Sequence, residues 1–147
     1  MKINNKGIGL TDAVIAIAIF MIFSGAIIGI SYNIYLQSNF IKRNETATNY
    51  IVEVFEYAKS MDISNVNAST LSTYVQGKYN NITVLFENEP EDSAIGRGYT
   101  MYISVRDAHE ENPSLYKENF VKEINIKVYY RIAGKVKSVS MNTLIKK

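Results

Sequence analysis

From Ala13 to Ile30 the chain carries no charge: AVIAIAIFMIFSGAIIGI. Eighteen residues at 1.5 Å rise make a helix about 27 Å long, close to the hydrocarbon thickness of a bilayer. Lys2 and Lys6 lie in the leader before the run, and the next basic pair, Lys42-Arg43, lies well beyond it. That asymmetry implies a single-pass span with its N-terminus in the cytoplasm. A secretory signal peptide fits less well. Its apolar region would exceed the usual length of about 7–15 residues, and the small triplet Ser24-Gly25-Ala26 runs straight into Ile27-Ile28.

Of the 147 residues, the run and its leader leave room for one folded domain of ~100 residues. Cysteine is absent, which excludes disulfides, thiolate metal sites and a thiol nucleophile. The domain must therefore be held by its core, by its helix or by neighbouring subunits. A formal charge of +2 gives no argument for nucleic acid by itself.

Helical character continues past Ile30. Ala47, Ile51, Val54, Phe55, Ala58 and Met61 fall on one helical face, and Lys42, Arg43, Glu45, Glu53, Glu56 and Lys59 occupy others. A helix from about Leu10 to Met61 would span roughly 75 Å, more than a membrane needs. Its second half must pack on the remainder of the chain. After the turn-rich exit Asp62 to Asn67, residues 68–76 read either as a short helix capped by Ser69 or Thr70 or as an irregular loop.

Four alternating stretches come next. Ile82, Val84 and Phe86 share one face; Met101, Ile103 and Val105 share another; Ile124 through Ile132 alternate most clearly. After the turn at Ala133-Gly134, Val139, Met141 and Thr143 point inward on a return strand. The expectation is an α+β fold, with an antiparallel sheet of about four strands packed on the second half of the long helix.

One acidic residue, Asp12, stands at the head of the apolar run. A carboxylate costs about 2.5–3.5 kcal/mol near the bilayer centre, and less near the interface, so it calls for a partner. Lys6-Gly7 directly before the run, Leu10, and an acidic residue five positions after Gly7 resemble the class III leader of type IV pilins and pseudopilins. The order of elements, long helix then sheet, is similar too. Ile8, Gly9 and Asp12 depart from the residues most usual there, Phe or Met, Thr or Ser, and Glu.

The resemblance implies cleavage after Gly7 by a prepilin peptidase, methylation of the new terminus at Ile8, and an assembly role for Asp12. It further implies residues 1–7 as leader, 8–36 as the transmembrane and filament-core half of the helix, and 37–147 as the globular domain. The partners implied are membrane lipid before assembly and other pilin subunits afterwards, in a pilus, secretion or competence filament. A minor subunit without catalytic activity or cofactor fits this pattern. The alternative is a membrane-anchored external binding domain that never polymerises.

Nothing in the chain adds up to a reactive centre. His109 sits in the acidic loop DAHEEN, where Asp107, Glu110 and Glu111 lack the helix or strand spacing that would converge metal ligands. No nucleophile motif and no phosphate-cradling glycine loop occurs. Lys122, Lys127, Arg131, Lys135, Lys137, Lys146 and Lys147, with Tyr129 among them, read as the sheet's outer face or the chain end. They could touch DNA, as in competence-type relatives, but a solvated strand face is the commoner meaning. The sequons at Asn44, Asn67 and Asn81 fit chance in an Asn-rich chain.

Overall fold

Helix α1 runs from Lys6 to Ser60, and what it does changes along its length. A computed structural model describes residues 6–108 and 120–146, with side chains from residue 9 onward. The chain forms two units, Met1–Asn39 and Phe40–Lys147. In the first, every described residue belongs to α1, and the apolar side chains are exposed apart from the half-buried Leu36. The second is a folded domain built on the remainder of α1.

In that domain the stripe foreseen from spacing is buried: Ala47, Ile51, Val54 and Ala58 are fully covered and Phe55 nearly so. They form one core with Met101, Ile103, Ile124, Ile126, Val128 and Tyr130 of the sheet. Burial of a large aliphatic side chain contributes about 1.5–3 kcal/mol, so this stripe binds the helix to the sheet. Met61 lies just past the helix end and packs against the same core from a partly buried position.

The helix exit is a short 3-10 turn, Ile63–Asn65, whose first free amide at Ser64 donates to the Asp62 carboxylate. Helix α2 then spans Ala68–Lys78. Its cap is Asn67 rather than Ser69 or Thr70. Asn67 Oδ1 accepts from the Thr70 amide at 2.8 Å and also from the Ser69 and Thr70 hydroxyls, so those two support the cap from inside the helix. Leu71 and Val75 anchor α2 in the core.

The sheet order is β1 (Ile82–Leu85), β2 (Tyr99–Asp107), β3 (Val121–Ile132) and β4 (Lys135–Lys146). β2, β3 and β4 pair antiparallel in unbroken register, as the sequence reading expected. The first seam differs: β1 pairs parallel with β2, from Ile82 opposite Tyr99 to Leu85 opposite Tyr102, so the sheet is mixed. Parallel neighbours need a crossover of about a dozen residues, and the segment 86–98 supplies it. Phe86 is consequently the first residue of the crossover and is exposed, not the last inward residue of the strand.

That crossover lies over the sheet face opposite the helix. Arg131 donates from Nε to the Ile95 carbonyl at 2.6 Å and from Nη2 to the Asp92 carbonyl. Glu89 accepts from Lys127 and from the Tyr129 hydroxyl. Thr100 and Tyr129 of the sheet are buried, and so is Ile95 of the crossover strap itself. Where the crossover re-enters the sheet, a Cβ on Gly98 would come within 2.9 Å of the Asn81 carbonyl oxygen, so only glycine fits without a shift.

The β3–β4 turn places Ala133 at φ 48° and Gly134 at φ 79°, the left-handed pair that a two-residue hairpin requires. On β4, the edge strand, Met141 shares the inward register but is 38% exposed; Ile145 is the buried residue there. Lys122 and Lys137 also lie in the inward register rather than on the outer face. Lys122 donates to the Val66 carbonyl at 2.7 Å.

Candidate functional site

The part of the chain with most surface to offer a partner is the first half of α1. Leu10, Phe20, Ile22 and Ile28 are each about 70% exposed, and the apolar window of this helix has none of its residues covered. Among the described residues α1 is the one helix long and apolar enough to cross a membrane. From Ala13 to Ile41 there is no charged side chain. Those 29 residues span about 43 Å as a helix, which matches a hydrocarbon core with its interfacial layers. Tyr32 and Tyr35, both exposed, stand toward the C-terminal end of this stretch; amphipathic rings favour a membrane interface.

Asp12 is exposed on this helix, the one carboxylate of the first unit. One and two turns further along its face come Ile15, Ala16 and Ile19, so among the described residues that face offers it no cation in those two turns. Gly7 and Ile8 lie in the opening turn of α1, and their side chains fall outside the described residues. Gly25 and Gly29 have no atom of the described chain within 4 Å of where a Cβ would sit, so the notch they leave is open. His109, Glu110 and Glu111 lie outside the described residues; among those described, no group of three potential metal ligands converges.

The domain carries a second kind of order that the composition did not disclose. Its tyrosines line the margin between helix and sheet. Tyr50 meets Tyr79 edge-on at 4.8 Å and Tyr99 at 5.4 Å, and Tyr57 stacks on Tyr74 at 3.8 Å. Glu53, one helical turn from both Tyr50 and Tyr57, accepts from the Tyr74 and Tyr79 hydroxyls and pairs with Lys78. Burial raises the Tyr79 hydroxyl above its ordinary value, with Tyr74 and Tyr50 adding to the shift. These contacts fasten α2 to α1. They explain a tyrosine-rich composition as packing, since a ring buries area and its hydroxyl still reaches a partner.

On the opposite face, the basic residues of β3 prove to be structural. Arg131 holds the crossover, and Lys127 is bound to Glu89. The hydrogen bond from Lys127, and then that from Tyr129, lowers the Glu89 carboxyl; the same contact with Glu89 raises Lys127. Two of the cations counted as a possible nucleic-acid stripe are thus already occupied. No family model, characterised protein or solved structure matches the chain.

Proposed function

We propose that the chain is a prepilin, a structural subunit of a type IV pilus or related pseudopilus with no catalytic activity of its own. The observation that carries this reading is the division of labour within α1. One helix supplies an uncovered, uncharged half headed by Asp12 and a second half whose stripe forms a core with a four-stranded sheet. An anchor needs only enough apolar length to span the bilayer; it needs no carboxylate at its head.

In this reading the precursor sits in the cytoplasmic membrane with residues 1–7 inside. A prepilin peptidase cuts after Gly7 and methylates Ile8, and the apolar surface moves from lipid to the equivalent surfaces of neighbouring subunits. Asp12 then faces the amine of Ile8 on an adjacent subunit. At ~4 Å and an effective dielectric near 20, such a pair attracts by up to about 4 kcal/mol before desolvation is subtracted.

Intact-mass measurement on the native protein tests the processing step. The expected result is a chain beginning at methylated Ile8. A chain retaining Met1 in a membrane fraction that yields no filament overturns the proposal and leaves a membrane-anchored external domain.

A further inference from the structure

Among the described residues, the crossover covers only part of the sheet face opposite the helix. Beside the strap lies an open trough of about 310 Å³. Its floor is small and polar: Ser104 on β2, Asn125 on β3 and Ser140 on β4. Ser104 and Asn125 are direct partners in the register, and Ser140 stands opposite Lys127, one position along the same face. Each end is closed by long side chains of both signs. Arg106 and Glu123, opposite each other across β2 and β3, form one end; Tyr102, Lys127 and Glu89 form the other.

This is a concavity made by side-chain size. Ser104 and Asn125 are flanked by long residues along β2 and β3, and Ser140 lies among short ones on β4, which leaves a depression where a uniform face would be flat. At about 4.8 Å between strands and 3.3 Å per residue, it measures roughly 10 by 13 Å. Among the described residues, the side chains of Tyr102, Ser104, Glu123, Asn125 and Ser140 make no hydrogen bond. Their donors and acceptors face one small volume unspent.

The chemistry narrows the ligand. Two cations and two carboxylates line the trough, so its formal charge is zero and it has no net attraction for a phosphate or a carboxylate. Asn, Ser and Tyr both donate and accept, whereas the ends add fixed donors and fixed acceptors. A ligand suited to that set carries many groups that are themselves both donor and acceptor, without charge. Its volume falls at the lower end of the roughly 300–1,000 Å³ of small-molecule sites. The lining is far more polar than a site for an apolar compound, with one ring, Tyr102, to lie against a C–H face.

We propose that this trough binds a neutral saccharide of one or two pyranose rings. The proposal stands apart from the filament reading, because it uses only side chains of the folded domain. The crossover shapes the site by fixing one wall: Glu89 is held by Lys127 and Tyr129, so the Tyr102 end keeps its form without ligand.

The test uses the full chain in lipid nanodiscs, which avoids sugar-headed detergents. Saturation-transfer NMR and titration calorimetry are run with maltose, lactose, cellobiose and di-N-acetylchitobiose, with inorganic phosphate and glycylglycine as contrasting probes. The expected result is saturable binding of at least one disaccharide, weakened about tenfold or more by Asn125→Ala, the loss of one or two hydrogen bonds. Ser140→Tyr, an exposed position on the edge strand where tyrosine suits a strand, should fill the trough and abolish binding with the fold intact. The proposal is overturned if no disaccharide binds, if the bound disaccharide ignores both substitutions, or if phosphate or glycylglycine binds more tightly than every sugar.

Discussion

The Tyr130 hydroxyl on β3 donates to Oδ1 of Asn44 on α1 at 3.1 Å, joining the sheet to the helix across the top of the core. Tyr130 is fully buried, whereas Asn44 is partly exposed. The two ends of this bond therefore differ in what their loss leaves behind. Asn44→Ala strands a hydroxyl in the core and should cost about 1–3 kcal/mol; Tyr130→Phe leaves an acceptor that water can reach and should cost about 0.5–1.5 kcal/mol. Urea unfolding of the domain reads both, and equal costs would show that the bond does not span a dry interface.

The hairpin turn invites a gain. Ala133 holds φ 48°, a left-handed conformation that costs a residue with a Cβ about 1–2 kcal/mol. Asparagine tolerates that region and precedes glycine in the preferred two-residue turn. Ala133→Asn should raise the melting temperature by a few degrees. Gly134→Ala, at φ 79°, should lower it. A fall in melting temperature for Ala133→Asn would contradict the turn geometry.

Acid should loosen the crossover before it loosens the core. Hydrogen bonds from Lys127 and Tyr129 depress the Glu89 carboxyl below its ordinary 4.5. The stabilisation this lends is complete above that value and is lost as pH falls through the lower folded value. Glu89 is half exposed, so solvent screening keeps the effect below about 1 kcal/mol. Hydrogen exchange across residues 86–98 should therefore rise below pH 4.5 while β3 stays protected, and Glu89→Gln should remove that pH dependence. At the other limit, burial first, with Glu89 adding, raises Tyr129, and burial raises Tyr130. Their contribution is intact below 10.0 and fades as pH climbs through the raised values, visible as late-ionising tyrosines in the ultraviolet.

Asp12 bears the assembly prediction. Asp12→Ala removes the only carboxylate from the uncovered helix half and leaves its apolar length unchanged. Membrane fractionation should find the variant inserted as well as the parent, while the sheared filament fraction should lose it. Asp12→Glu restores the charge with one more methylene of reach and should assemble. Normal incorporation of Asp12→Ala would remove this residue from the assembly contact.

The features legible in the sequence were those that repeat. The stripe from Ala47 to Ala58 and the alternation from Ile124 to Tyr130 each report a single burial face several times over, so chance is averaged out. The parallel seam was not legible, because alternation gives a strand's faces and says nothing of its direction. The one cue was length: 13 residues from Phe86 to Gly98 exceed what a hairpin uses. The trough was hidden for a related reason. Ser104, Asn125 and Ser140 lie far apart in the chain, and only the register makes them neighbours. Asp12 was visible at once as the lone carboxylate beside an uncharged run, and it is exposed in the fold.

The bond between Asn44 and Tyr130 joins residues 86 positions apart. On the ribosome α1 is made first and the β3–β4 hairpin last, so the stripe on the helix emerges long before the strands that cover it. Long-range pairings of this kind are slow to form, and uncovered apolar surface is prone to aggregate meanwhile. The exposed apolar half of α1 adds to that surface from the start, so the order of synthesis leaves the domain's core open until its last strands arrive.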